Sequence, residues 1–559
     1  MKNNFLKSGF SYLVIALNLM ILVSCQAPQL TDAATDSNDK QQLFIGDDIA
    51  IADTEYGKVQ GFILRDIYNF RGIPYGASTA GANRFMPPQP PASWDHIYQA
   101  IWWGNSAPQN MDNRYANAVY SFSDHWNYDD VSEDCLKLNI WTPGLSDGKK
   151  RPVLVWLHGG GYTNGNGIEQ DGYNGENITR KGDIVFVSIN HRLGPIGFSD
   201  LSAAGGEKYA HSGNVGALDM VAALQWVNKN IENFGGDPSN VTIMGQSGGG
   251  AKVCVLTAMP SAKGLFHKAV PLSGSTITAK KQTDAQKVGQ YILEEAGLVP
   301  SQIDQLQEMP WKDYLEIANK ANQRYAQETG AAGFRSGFGP VADGVNLPLE
   351  SFYVDPEGLS SDVPMLISST FHEWSFAKAA PQMESIDKQG AIAALSNSMG
   401  FIRGFGEQSE VVYNAYEQVF PGAKPIEIMT LALSNRRAVI ETANAKSTQT
   451  APVYVAWFGW EPPLFDGRAR AFHCLDISFW FDNTDLMLTH SGGGKQPRVL
   501  AGRMSDALLA FMKTGNPNTP SLPQWPVYTK ENGETMILNN TSEVKNDPDR
   551  AARESLPSL

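Results

Sequence analysis

Cysteine is scarce: there are four in 559 residues. One of them, Cys25, sits at the end of an N-terminal leader, which leaves Cys135, Cys254 and Cys474. Three thiols allow at most one disulfide, so stability must come from a packed core. No Cys-x-x-Cys and no His-Glu-x-x-His occurs. The chain thus lacks the common zinc patterns, and neither a metal nor a cofactor is expected. Positive charge is also short: 44 Lys and Arg stand against 58 Asp and Glu, for a formal net charge of -14. The only basic cluster, Lys149-Lys150-Arg151, reads as a solvated turn before a strand. Nucleic acid as a partner is excluded, because phosphate binding needs a basic surface. Internal repeats and domain-sized linkers are missing too.

A targeting segment is present. Lys2 and Lys7 precede an apolar stretch, Tyr12 to Val23, which is too short for a comfortable membrane span. It ends in Leu22-Val23-Ser24-Cys25. Small residues before a cysteine resemble the bacterial lipoprotein signal, in which the cysteine is lipidated and becomes the mature N-terminus. The chain then divides into a signal peptide over 1–24, a polar tether over 25–45 and one folded domain over 46–559. Loss of Lys2 and Lys7 takes the formal charge from -14 to -16. The membrane is met only through the lipid on Cys25, and the protein is expected in the bacterial envelope. Gln26 after the cysteine, in place of Asp, favours outer-membrane sorting by the same analogy.

Along the domain, apolar runs alternate with helical patterns. Leu138 to Trp141, Val153 to Leu157, Ile184 to Ile189 and Val241 to Met244 read as strands, with Met365 to Ser368 and Val453 to Trp457 further on. Leu218, Val221, Leu224, Val227 and Ile231 recur at helical spacing, and that helix stops at Gly235-Gly236. Continuous apolar strands separated by helices indicate an α/β fold whose mostly parallel sheet is covered on both faces.

The central stretch is Val241 to Lys252. A buried strand runs into Gly245-Gln246-Ser247-Gly248-Gly249, and a helical pattern follows from Ala251. Strand, G-x-S-x-G turn and helix form the context of a nucleophile elbow, with a serine exposed at the tip of a strained turn. A chain with 53 glycines can also carry such a sequence as a plain turn, so partners must be found. A serine hydroxyl needs a base, the base needs a carboxylate, and the developing oxyanion needs preorganised N–H donors. His158-Gly159-Gly160-Gly161 follows the Val153 strand and offers backbone free of side chains. For the base, His372, His473 and His490 remain candidates; for the acid, Asp343, Asp362 and Glu373.

With these motifs in place, the chain resembles the type-B carboxylesterases, cholinesterase-like α/β-hydrolases. The shared stretches include FRGIPYG from Phe70, SEDCLKLNIWTP from Ser132, HGGGY from His158, INHRLGPIGF from Ile189, the run from Gly213 to Gly250, and TGNPN from Thr514. The resemblance implies an α/β-hydrolase sheet with large helical and loop insertions, a serine carboxylic-ester hydrolase acting through an acyl-enzyme, and a small-molecule ester as partner. It assigns Ser247 as nucleophile, Glu373 as acid and His473 as base. Gly160, Gly161 and Gly248 become the oxyanion hole, and Asp476 a supporting group.

Three departures from the family pattern stand out. Gln246 replaces the usual glutamate before the nucleophile, which favours neutral esters over cationic ones. Ala107 stands where the family often has a cysteine paired to that of SEDC, so the resemblance implies that Cys135 is unpaired and that the loop with Trp126 and Tyr128 is untied. Gly248 replaces the usual alanine. Two rivals are weaker. Ser375-Phe376-Ala377-Lys378 and Lys513-Thr514-Gly515 match motifs of penicillin-recognising hydrolases, but the second follows a helix-like stretch, not a strand. A non-catalytic binding or adhesion module would have no need of Ser247, Glu373 and His473 together.

Overall fold

Alternating side chains explain why the centre of this chain is a sheet with two dry faces. In the computed structural model, which describes residues 41–110, 130–331, 337–355, 357–399 and 402–557, Val153, Val155 and Leu157 join one core cluster. Leu154 and Trp156 between them join the other. Period-two alternation on a strand with no solvent-facing side requires apolar residues at every position. Residues Leu43–Leu559 form one compact unit. The proposed leader and Cys25 lie outside the described residues, as do Trp126 and Tyr128.

Twelve strands make the main sheet: β1 (Leu43–Phe44), β2 (Phe62–Leu64), β3 (Ile67–Pro74), β4 (Lys137–Thr142), β5 (Arg151–Leu157), β6 (Val185–Ile189), β7 (Gly236–Gln246), β8 (Lys268–Leu272), β9 (Met365–Thr370), β10 (Val453–Phe458), β11 (Glu534–Leu538) and β12 (Glu543–Asn546). β1 therefore uses the last residues of the stretch read as a tether. The spatial order follows the chain except that β6 lies outside β5. From β6 through β11 every neighbouring pair is parallel. The two ends are antiparallel, at β1 to β4 and at β11 with β12. The expectation of a mostly parallel sheet thus describes its centre.

Three helices frame the sheet around its central strands. α1 (Val215–Asn230) continues into a tight turn to Phe234 and is closed by Gly235 at φ 74°. α2 (Gly248–Thr257) starts three residues earlier than the sequence pattern suggests, directly after Ser247. α3 (Lys495–Thr514) packs on the opposite face, through Leu500, Met504, Leu508 and Phe511. It ends at Gly515, so the Lys513-Thr514-Gly515 motif closes a helix and lies on no strand.

β5 is followed by β6 on one side, and β7 returns on the other. The carboxyl ends of β5 and β7 thus flank the point where strand order reverses. In open parallel sheets that crevice is where ligands bind.

Candidate active site

The elements that carry the expected residues all end at the same edge. His158 to Gly161 follow β5, Ser247 follows β7, Glu373 lies three residues past β9, and His473 lies beyond β10. Ser247 has φ 57° and ψ -124°, outside the regions open to ordinary L-residues. The strain is held from both sides of the turn. The Ser247 N–H donates to the Leu272 carbonyl of β8 at 2.8 Å, and the Ser247 carbonyl accepts from Ala251 in α2 at 3.2 Å.

The oxyanion candidates meet the elbow. Gly160 and Gly161 have φ 79° and 63°, the left-handed region where a side chain is disfavoured. A methyl group on Gly248 would stand 2.2 Å from the Gly161 carbonyl oxygen and 2.4 Å from its nitrogen. The backbones of Gly161 and Gly248 are therefore in direct contact, and the absent alanine has a steric reason.

His473 and Glu373 are brought together by their backbones first. The His473 N–H donates to the Glu373 carbonyl at 2.9 Å, and the His372 N–H donates to Ala471 at 3.0 Å. This short ladder aims the side chains at one another, and His473 Nδ1 stands 2.5 Å from Glu373 Oε2. The other Glu373 oxygen accepts from the Thr370 N–H at 3.1 Å. The carboxylate is fully buried, whereas the imidazole is 17% exposed. Desolvation opposes charge on the ring, but the Cys474 sulfur and the Glu373 carboxylate outweigh it, so the His473 pKa stands well above the ordinary histidine value. Trp374 lies against the ring, with centroids 4.8 Å apart.

Among the described residues the Ser247 hydroxyl makes no hydrogen bond, so its link to His473 is not formed here. The adjacent Gln246 is what touches the ring. Its Nε2 is 3.4 Å from Nδ1 and 3.3 Å from Nε2 of His473. An atom so nearly equidistant from both nitrogens would collide with the carbon between them if it lay in the ring plane, so the amide rests on the face of the imidazole. Gln246 Oε1 accepts from the Cys474 thiol at 3.2 Å. Cys474 itself has φ 72°.

The competing candidates lie in other settings. His372 pairs with Thr430 Oγ1 at 2.8 Å and with Glu461 at 3.4 Å. His490 is buried beside Phe472. Asp343 accepts from the backbone of Val345, Asn346 and Leu347, which makes it a loop-holding group. Asp362 is exposed. Asp476 is buried behind the pair, and burial first, then the Glu373 charge, raise its pKa to about 7. Cys135, Cys254 and Cys474 are in no disulfide.

Sequence reasoning passed over Trp374, Cys474 and Lys252. Only Lys252 carried a signal, a charge four residues into a pattern otherwise made for burial.

A serine on a strained turn between β7 and α2, with glycine backbone against it and a histidine–carboxylate pair on the next strands, defines the α/β-hydrolase class of serine hydrolase. Comparison with known proteins narrows this. The model of the carboxylesterase family matches residues 48–554. The chain is 35% identical over 510 residues to para-nitrobenzyl esterase of Bacillus subtilis, covering 90% of this chain and 98% of that protein. It is 30% identical to phenmedipham hydrolase of Pseudarthrobacter oxydans, over 91% and 99% of the two chains. Among solved structures, an esterase from Clostridium hathewayi, described as hydrolysing aliphatic aromatic polyesters, superposes with a TM-score of 0.77. It is 33% identical, over 92% of this chain and 99% of that one. The protein belongs to the carboxylesterase family and is an ester hydrolase.

Proposed function

We propose that this carboxylesterase cleaves neutral small-molecule esters in two acyl transfers at Ser247. The observation that carries the reading is the 2.5 Å pair of His473 and Glu373 on the strands beside the strained Ser247 turn. His473 takes the hydroxyl proton as Ser247 Oγ attacks the ester carbonyl, and Glu373 holds the imidazolium. The N–H groups of Gly160, Gly161 and Gly248 receive the negative oxygen. Collapse breaks the bond to the alcohol, which leaves with the proton from His473. Water then attacks the acyl-enzyme by the same route and releases the acid. The missing Ser247–His473 bond is compatible with this, because catalytic hydrogen bonds are often long without substrate.

Gln246 puts an uncharged amide where the family usually has a carboxylate, which supports a neutral substrate. The solved relative described as acting on polyesters accords with that class.

Titration with a fluorophosphonate tests the assignment. One equivalent should label Ser247. Ser247→Ala should abolish labelling and lower kcat by about six orders of magnitude, and Glu373→Gln should lower it by about four. Because Glu373 helps raise the His473 pKa, the acid limb of kcat/KM should move to lower pH in Glu373→Gln. Absence of labelling in the wild type would leave the non-catalytic binding reading. For location, the leader and Cys25 support an exported protein held in the bacterial envelope by a lipid.

A further inference from the structure

The mechanism leaves one buried charge unused. Lys252 sits in the second turn of α2 and is 0% exposed. Its Nζ donates to the His158 carbonyl at 2.9 Å. His158 opens the glycine run, so one side chain ties the helix behind Ser247 to the loop that carries Gly160 and Gly161. The other end of that peptide unit is held as well: the Gly159 backbone amide bonds to the Tyr173 hydroxyl. Tyr173 in turn donates to Glu169 Oε1 at 2.8 Å. Both are 2% exposed. Glu169 completes the circuit, because its charge is what favours the ammonium of Lys252.

We propose that Lys252, with Tyr173 and Glu169 behind it, is a positioning residue for the oxyanion loop, and that its positive charge contributes to the rate. This rests on the assignment of Ser247 as nucleophile and of Gly160, Gly161 and Gly248 as the oxyanion hole. A buried ammonium is costly, and a methionine would fill the same space without that cost. Charge placed beneath the loop acts on negative charge that exists only while the carbonyl carbon is tetrahedral, so it lowers the barrier and leaves ground-state binding alone.

The remaining ionisable groups around it are arranged to keep it the local cation. His191 is stacked on His158 with centroids 5.1 Å apart. Burial and then the Lys252 charge hold His191 neutral, with its pKa well below the usual histidine value. Arg192 is neutralised by Asp219 at 2.6 Å, both fully buried. Burial draws the Lys252 pKa down to about 7, against the opposing pull of Glu169. The ammonium therefore persists below its pKa and is lost as pH rises through it. kcat should fall on the alkaline side while His473 governs the acid side, so the profile is a bell.

The test compares wild type, Lys252→Met and Lys252→Arg on a p-nitrophenyl ester across pH, with KM and thermal melting recorded. Fluorophosphonate labelling of Ser247 is scored in the same samples, so a wrong nucleophile registers separately. Lys252→Met should lose about tenfold or more in kcat at neutral pH, keep KM within about twofold, and lose the alkaline decline. Lys252→Arg, which does not titrate, should retain most of kcat and carry it to higher pH. The proposal is overturned if Lys252→Met keeps wild-type kcat, or if the alkaline decline persists unchanged in either variant. The arginine variant decides the question should the methionine variant fail to fold.

Discussion

Gln246 shows how much one residue can redirect. Its carbonyl oxygen is occupied by the Cys474 thiol and its amide rests on the His473 ring. A carboxylate there would add a negative charge against the base, raising its pKa further and attracting cationic substrates. The wild type should therefore prefer a neutral acyl ester to its choline-like isostere in kcat/KM. Gln246→Glu should shift that ratio toward the cation by about fivefold or more, the size expected for one added charge at short range. Steady-state kinetics on the matched pair measure it, and a strong preference of the wild type for the cation would refute the reading. Asp476 shows the opposite case, a carboxylate beside the same pair whose burial disfavours the charged form.

At the scale of elements, the site is a meeting of two glycine-rich turns. β5 and β7 are parallel neighbours, so the loops after them leave side by side. Gly161 and Gly248 then touch through bare backbone. Restoring the family's alanine at 248 would place its methyl 2.2 Å from the Gly161 carbonyl, nearer than real Cβ atoms approach. Gly248→Ala should thus push the two loops apart and lower kcat by about a hundredfold, the scale of losing an oxyanion donor. Retention of wild-type kcat with an intact circular dichroism spectrum would show that the loops yield cheaply.

For the whole molecule, the folded unit from Leu43 onward carries every group used in the proposed chemistry. The proposed lipid on Cys25 would then determine location and not rate. Cys25→Ala should fail to incorporate labelled palmitate and should move from the membrane fraction to the soluble one. Its kcat on a soluble ester should match the wild type. Membrane retention without label would point to an uncleaved leader instead.

The sequence alone carried the chemistry of the elbow, the order of the motifs and the strands at the centre of the sheet. Val153 to Leu157 and Val241 to Met244 are long apolar runs, and such runs have few alternatives to a doubly covered strand. Ser247, Glu373 and His473 were legible because family motifs surround each of them. The start of α2 was not, because Gly248, Gly249 and Gly250 are poor helix formers that only the elbow geometry recruits. The Lys252–Glu169 relation was equally hidden, since 83 positions separate them in the chain. Local propensity and motif determine which residues are available. Which of them share a dry interior, and so feel one another's charge, depends on contacts between distant segments that only the folded sheet brings together.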